Sequence, residues 1–331
     1  MPDATSGARA PRADPVAASY AECQRIARGA ASNFYYAFFL LPRPRREALC
    51  ALYAFMRLVD DVSDTAGPTV ERQRTLGEWR AAVDAARAGN TTGHPILPAF
   101  ADTIARYAIP PRYFHDLISG AEMDLTVTRY ATFDRLREYC YRVAGTVGIT
   151  CLYVFGFGDP RAPDLAEKLG SAFQLTNILR DLSRDFEMGR VYLPHEDWQR
   201  FGCHPQDLEQ LAGKASPRGP RGVPPALAEL LEFEAERAWR FYEEGAALVS
   251  LIHPESRPAL WALVRTYSSL LRRIQARGYD VFTSRVRLSA AEKAMIFLRA
   301  RLGWWSEKNA LEERDRDRRR AGGALLRRRA G

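Results

Sequence analysis

Histidine is scarce in this sequence, and its cysteines are not spaced for cross-linking or metal capture. The five histidines (His94, His115, His195, His204, His253) are scattered, with no His-x-x-x-His or Glu-x-x-His pair. That excludes a zinc site of ordinary helical spacing. The five cysteines (Cys23, Cys50, Cys140, Cys151, Cys203) are odd in number and mostly lie in apolar stretches. With no Cys-x-x-Cys among them, they read as reduced structural thiols rather than a disulfide framework. Long apolar runs are also missing. The longest uncharged stretch, residues 143–158, is sixteen residues with four glycines. It is too short to span a bilayer and reads as a buried core helix. No Gly-x-Gly-x-x-Gly is present, because the run from Gly156 to Arg161 lacks the third glycine; a Rossmann nucleotide site is therefore not indicated. Residues 1–19 hold Ala, Pro, Asp and Arg without the apolar core of a secretory leader, so they are expected to be a disordered segment and the protein cytoplasmic. With 20 prolines and 23 glycines in 331 residues, collagen-like and low-complexity architectures are excluded.

What the chain does have is helical periodicity. It is 47% hydrophobic and 27% charged, enough to bury a large core. Apolar residues recur at three- and four-residue spacing over 18–39, 45–62, 70–88, 94–107, 111–126, 132–154, 160–185, 224–250, 257–276 and 289–302, and strand-like alternation is scarce. Thr132 and the box Ser289-Ala-Ala-Glu292 mark two helix starts, and Pro111 and Pro258 suit first turns. The expected fold class is all-α. A single catalytic domain is expected over 20–305, with a Pro/Gly-rich loop at 213–225 inside it and an Arg-rich, disordered tail at 306–331. Residues 312–331 carry eight arginines against four acids, half of the chain's net charge of +8. Such a run reads as a solvated tail or an arm for an anionic surface. No basic stripe interleaved with aromatics crosses the rest of the chain, so a nucleic-acid partner is not expected.

Two acidic clusters carry the chemistry. One closes an apolar segment: Ala51-Leu-Tyr-Ala-Phe-Met-Arg57-Leu-Val-Asp60-Asp61-Val-Ser-Asp64. The other lies in Phe173-Gln174-Leu-Thr-Asn177-Ile-Leu-Arg180-Asp181-Leu-Ser-Arg-Asp185. In each, two aspartates four residues apart share a helix face, about 5–6 Å apart at their Cβ atoms. Like charges so close mildly destabilise a helix, and burial raises the cost. A cation between them removes the conflict. Carboxylates with an amide oxygen suit Mg²⁺, whose shell is typically completed by substrate phosphates. Arg57 and Arg180 can pair with acids or fork to phosphate oxygens. Two such clusters on separate apolar helices point to opposed walls of one cavity holding an anionic, Mg-bridged group such as a diphosphate.

These residues resemble a known family, the squalene and phytoene synthases. Tyr53-Ala-Phe-Met-Arg-Leu-Val-Asp60-Asp-Val-Ser-Asp64 is similar to its first aspartate-rich motif. The run from Gln174 through Asp185 to Gly189-Arg190-Val-Tyr192-Leu-Pro194 is similar to its second. Tyr139-Cys-Tyr-Arg-Val-Ala-Gly-Thr-Val-Gly148 resembles a third signature. The resemblance implies an isoprenoid-synthase fold, helices around a central cavity. It implies that Asp60, Asp64, Asn177, Asp181 and Asp185 bind Mg²⁺ (or Mn²⁺) and diphosphate, and that Gln174, Arg57, Arg180, Arg190 and Tyr192 line or brace the site. Tyr139 matches a tyrosine near the reacting carbons. Ala144 and Gly148 match small residues that leave room for a prenyl chain, and Tyr267 and Arg285 match positions touching the second diphosphate. Ala31-Ser32-Asn33-Phe34 departs from the hydroxyl-rich stretch common in the family, leaving Asn33 as the substitute donor, and Arg184 stands where an acid or small residue is common. Phe34, Tyr35, Tyr36, Phe38, Tyr53 and Phe55 are candidate ring faces for a cation.

The activity implied is head-to-head joining of two prenyl diphosphates through a cyclopropyl diphosphate. Two farnesyl diphosphates giving presqualene diphosphate or squalene is the leading expectation, and two geranylgeranyl diphosphates giving phytoene the alternative. NADPH use and oligomeric state stay open. Hydrophobic products imply peripheral membrane contact. A terpene cyclase is disfavoured because the acidic motifs are paired, and a helical assembly factor because a scaffold has no use for clustered carboxylates.

Overall fold

The computed structural model describes residues 14–30, 33–212 and 222–303. Among them the elements are helices: α1 (Pro15–Gly29), α2 (Asn33–Phe38), α3 (Arg43–Asp64), α4 (Thr69–Arg87), α5 (Leu97–Arg106), α6 (Arg112–Thr126), α7 (Phe133–Cys140), α8 (Thr146–Phe155), α9 (Ala162–Glu187), α10 (His195–Arg200), α11 (Glu209–Ala212), α12 (Pro225–Gly245), α13 (Leu248–Leu251), α14 (Arg257–Ala276) and α15 (Ala290–Arg301). No strand forms among the described residues; two isolated bridges, Arg129 with Val191 and Phe157 with Ile252, are the only extended pairings there. The all-α expectation therefore holds. No described helix is long and apolar enough to cross a membrane. The expected tail at 306–331 and most of the loop at 213–225 lie outside the described residues.

Several boundaries differ from the sequence expectation, each for a local reason. The chain is helical from Pro15, so residues 15–19 are ordered structure. Asp14 caps α1 by accepting from the Val16 amide at 2.9 Å, and buried Ser19 ties the helix to Pro95 and Ala99. The periodic stretch 18–39 is two helices, because the chain leaves α1 at Gly29 and restarts at Asn33, letting α2 pack on α14 and α3. The stretch 224–250 likewise breaks at Gly245, where a Cβ would lie 2.7 Å from the Leu169 side chain. Ser289 and Thr132 cap as expected. Residues 132–154 form one rod with an irregular middle. Tyr141–Gly145 is a π-helical turn between α7 and α8, a feature frequent at functional sites.

Glycines set the spacing around that turn. A Cβ on Gly170 of α9 would lie 2.4 Å from the Ala144 carbonyl oxygen, and one on Gly148 would lie 2.6 Å from that of Ala166. Ala144 thus faces Gly170 while Gly148 faces Ala166, so α8 runs antiparallel to α9 at backbone contact. The room that Gly148 makes is first of all room for α9.

A buried ionic knot braces the same region. Arg237 donates to Asp197 at 2.9 Å and to Glu234 at 2.9 Å, with its guanidinium 3.9 Å from the Phe133 ring centroid. Burial pushes the Glu234 carboxyl up to about 8, against the pull of the adjacent Arg237 guanidinium. The knot ties α7, α10 and α12 together. The preceding strip 189–194 is stapled to 128–130 by Val191 N–H to Thr128 O (2.9 Å) and His195 N–H to Tyr130 O (2.8 Å). Arg190 and Tyr192 are thereby fixed by backbone pairing rather than by a helix.

Candidate active site

Three helices present the same gradient, apolar at one end and acidic at the other. On α3 the stripe is Tyr53, Met56, Arg57, Asp60; on α9 it is Ala166, Leu169, Gly170, Phe173, Gln174, Asn177; on α6 it is Leu117, Ala121, Asp124. These residues are three or four apart and so share a helix face. Together with α8, α14 and Phe34 of α2 they enclose a cavity of about 330 Å³. Because α8 is antiparallel to α9, Cys151 and Phe155 sit at the end away from Asn177. The Phe155 carbonyl there accepts from Arg45 at 2.7 Å and from Ser256 at 2.9 Å, closing the floor. Phe34, Phe173 and Tyr267 form an aromatic wall, with Phe173 and Tyr267 stacked at 4.5 Å and Phe34 edge-on to Tyr267 at 5.7 Å.

The acids gather at the mouth. Asp60 is 57% exposed at its side chain, yet the protein around it, with Asp64 second, raises its carboxyl to about 6. Burial, then Asp181, raises Asp185 to about 7. Arg190 reaches Asp64 at 3.5 Å and the Asp124 carbonyl at 3.3 Å. Asp181 differs from Asp60 and Asp185. Arg180 grips it at 2.5 Å and Arg285 at 2.8 and 3.0 Å; burial opposes ionisation, but the two guanidinium groups outweigh it and hold the carboxyl below its usual range. Arg57 leans to Asp61 at 2.5 Å, with Asp60 at 3.5 Å.

The expected residues thus separate into groups. Phe34, Tyr53, Arg57, Asp60, Ala144, Gly148, Gln174, Asn177 and Tyr267 line the cavity. Asp64, Asp185 and Arg190 stand at its acidic rim, and Arg180, Asp181 and Arg285 form a separate ion cluster. The Asn33 side chain lies outside the described residues. Tyr139 is buried behind the cavity lining, and its hydroxyl donates at 3.0 Å to Asp124, which lines the cavity. Tyr192 donates to the other Asp124 oxygen at 2.9 Å and stacks on Tyr139 at 5.1 Å. Burial and the Asp124 charge drive the Tyr139 hydroxyl well above its ordinary value, so it acts as a neutral donor. Of the candidate ring faces, Phe34 and Tyr53 line the cavity. Phe55 instead packs in the core against Phe100 at 4.5 Å, Phe38 is buried, and Tyr36 is at the surface.

Asp124 is the residue the acidic motifs do not reveal. It has no second acid four residues away. Its signal is weaker: it continues the apolar stripe Leu117–Ala121, as Asp60 continues Tyr53–Met56.

The donor set fits a hard divalent ion held jointly with a diphosphate. The Asn177 Oδ1 is buried without a hydrogen-bond partner, an acceptor that burial normally forbids. Asp60 and Asp185 carry charge at a cost that a cation relieves. Among the described residues, no group of three or more His, Cys, Asp or Glu side chains is arranged to hold an ion by itself.

The raised carboxyls set a pH dependence. Their folded values exceed the usual 3.8, so the folded chain binds protons more readily than the unfolded chain. The stability they add is complete below the unfolded value and is lost as pH rises through about 6 and about 7. Metal binding has the opposite sign, because it needs both groups ionised. Melting curves without metal should show this part of the pH dependence vanish in Asp60→Asn/Asp185→Asn, while the rise in melting temperature on adding Mg²⁺ and pyrophosphate should grow with pH in the unaltered protein only.

Comparison with solved structures defines the class. The chain superposes on a dehydrosqualene synthase in complex with ligand at TM-score 0.77, 29% identical, covering 87% of this chain and 98% of that one. It matches the squalene synthase HpnC from Alicyclobacillus acidocaldarius at TM-score 0.70, 27% identical, covering 80% and 99%. The fold is that of the isoprenoid synthases, and the protein is a prenyltransferase. The family profile described as squalene/phytoene synthase matches residues 27–292, and the chain belongs to that family. Curated relatives include the phytoene synthase of Arthrospira platensis, 35% identical over 300 residues (86% of this chain, 93% of the relative), and that of Mycobacterium tuberculosis, 37% identical over 278 residues (84% and 89%).

Proposed function

We propose that this protein joins two geranylgeranyl diphosphates head to head to give phytoene, with a cyclopropyl diphosphate as intermediate. The observation that carries the reaction type is the single cavity running from an apolar floor at Phe155 to the Asp60/Asn177 mouth. The choice of chain length follows the names of the relatives at 35–37% identity, which favour the geranylgeranyl alternative over the farnesyl pair, the leading expectation from the sequence.

Asp60, Asp64, Asn177, Asp181 and Asp185 would hold the divalent ions. When bound, these ions neutralise the diphosphates and act as Lewis acids on the leaving group. The chain's own residues do the rest. Arg57, Arg190 and Arg180 add positive charge at the mouth, where charge develops on the departing diphosphate. Arg285, 41% exposed, pairs with Asp181 and would be free to contact the second diphosphate if Asp181 held a divalent ion. Phe34, Tyr53, Phe173 and Tyr267 exclude water and offer ring faces to the allylic cation. The double bond of the second substrate attacks that cation. The proton lost on cyclopropane closure passes to the released diphosphate beside Asp124, which Tyr139 and Tyr192 hold in place. A second ionisation releases the remaining diphosphate, and the rearranged cation loses a proton to it, giving the linear product without a reductant.

A farnesyl-using reading is favoured by the two solved structures, both named for squalene-type synthases. Incubation with Mg²⁺ and either prenyl diphosphate, with and without NADPH, followed by product mass, separates the two. The mass of phytoene from geranylgeranyl diphosphate, independent of NADPH, is expected. A faster farnesyl reaction giving presqualene diphosphate, squalene or dehydrosqualene would overturn the proposal.

A further inference from the structure

Helix α15 is apolar on the wrong side for a helix facing water. Its inner face packs Ile296 and Ala300 against α14. Its outer face repeats Ala291, Met295, Leu298 and Leu302 at intervals of four, three and four residues, the spacing of one helical stripe. The helix is firmly seated. Ser289 caps it, and Glu292 is held by Ser289 and by Arg273, which also donates to the Arg287 carbonyl at 2.7 Å. The stripe is therefore a fixed surface.

Helix α2 extends this surface. Tyr36 and Phe39 point outward, and the Lys293 ammonium lies 5.8 Å from the Tyr36 ring centroid, joining the two helices. Met295, Leu298, Leu302, Tyr36 and Phe39 are 43–66% exposed, an unusual concentration of large apolar groups. The rim is basic. Arg46 lies 5.4 Å from the Phe39 ring centroid, and Arg299 and Arg301 occupy the last turn of α15. The only acid on α15, Glu292, is already engaged by Ser289 and Arg273. Beyond Gly303 the sequence continues Trp304-Trp305 and reaches the eight arginines of 312–331.

We infer that the α2/α15 face docks this protein on the surface of an anionic lipid bilayer. Apolar side chains bordered by basic ones, with tryptophans and a basic run following, are the composition that lies in a headgroup layer. A second copy, itself carrying a net charge of +8, would set like charge against the basic rim, and an uncharged apolar segment would leave that rim unexplained. The opposite side of α2 carries Phe34, which lines the cavity, so docking sets a cavity wall against the phase that dissolves long prenyl chains. This inference goes beyond the proposed reaction, and its test uses empty vesicles without substrate, so the two succeed or fail separately.

The experiment is flotation of the full chain with vesicles of phosphatidylcholine alone or with about 30% phosphatidylglycerol. Binding is expected to the anionic vesicles, weakening as salt rises. Met295→Ser/Leu298→Ser/Leu302→Ser should lower the partition coefficient about tenfold with an unchanged far-UV spectrum and unchanged turnover of micellar substrate. Leu302→Trp should raise it about threefold, a gain that a misfolded protein would not show. Unchanged binding in the triple variant, with all binding lost when residues 304–331 are removed, would assign docking to the tail alone and overturn the inference. Equal binding to neutral vesicles would overturn the anionic requirement, and a lipid-free dimer that the triple variant dissociates would make a second copy the occupant.

Discussion

Replacing Asp60 with Asn should lower kcat/KM by about a thousandfold, equivalent to about 4 kcal/mol of transition-state stabilisation, without lowering the melting temperature. The separation of the two effects is the informative part. The Asp60 side chain is 57% exposed at the cavity mouth, yet desolvation by the surrounding protein, then Asp64, pushes its carboxyl up to about 6, which disfavours its charge there. Asn has nearly the same shape and removes the repulsion from Asp64, so the folded chain without metal should be as stable or slightly more so. A carboxylate kept where it costs stability is kept for a ligand. Steady-state kinetics at saturating Mg²⁺, with thermal unfolding of the same preparations, reads both quantities. Near-normal turnover would remove Asp60 from the site, and a large fall in melting temperature would make its role structural.

Gly170→Val should destabilise the protein by about 3 kcal/mol, the upper part of the usual overpacking range. The new Cβ would meet three backbone atoms, the Ala144 oxygen at 2.4 Å, the Ala144 carbonyl carbon at 2.7 Å and the Gly145 Cα at 2.9 Å. None of these is the end of a flexible side chain, so α9 and the π turn must move apart. Gly170, Ala144 and Gly148 all line the cavity, and the folded fraction should therefore also lose activity. Thermal unfolding followed by circular dichroism measures the first effect, and turnover per folded molecule the second. A melting temperature equal to the unaltered protein would show that the helices are not in the contact described.

The two effects also mark what could be read from the residues alone. The Asp60/Asp64 and Asp181/Asp185 pairs announce themselves because a four-residue spacing puts like charges on one face of an apolar helix, a cost visible without coordinates. The helix periods of α3, α9 and α14 are legible for the same reason, since each turns an apolar stripe inward. Asp124 is hidden because its partners, Tyr139 and Tyr192, are 15 and 68 residues away. The grip of Arg285 on Asp181 spans 104 residues and likewise leaves no local pattern. The π turn at Tyr141–Gly145 is hidden because one extra residue in a helix scarcely alters its periodicity. The break between α1 and α2 is missed because Ala and aromatic residues continue the apolar spacing across it. Gly170 looks like a mildly unfavourable helix residue until the neighbouring rod is in place, when it becomes the condition for their contact.

The most direct measurement is calorimetric titration of the protein with inorganic pyrophosphate, in excess Mg²⁺ and again in EDTA. If the two acidic helices grip diphosphate through divalent ions, pyrophosphate binds in Mg²⁺, binding weakens at least about a hundredfold in EDTA, and Asp60→Asn or Asp181→Asn brings the Mg²⁺ titration close to the EDTA result. Equal affinity in Mg²⁺ and EDTA, with both variants binding as the unaltered chain does, would contradict it and leave the arginines alone as the diphosphate site.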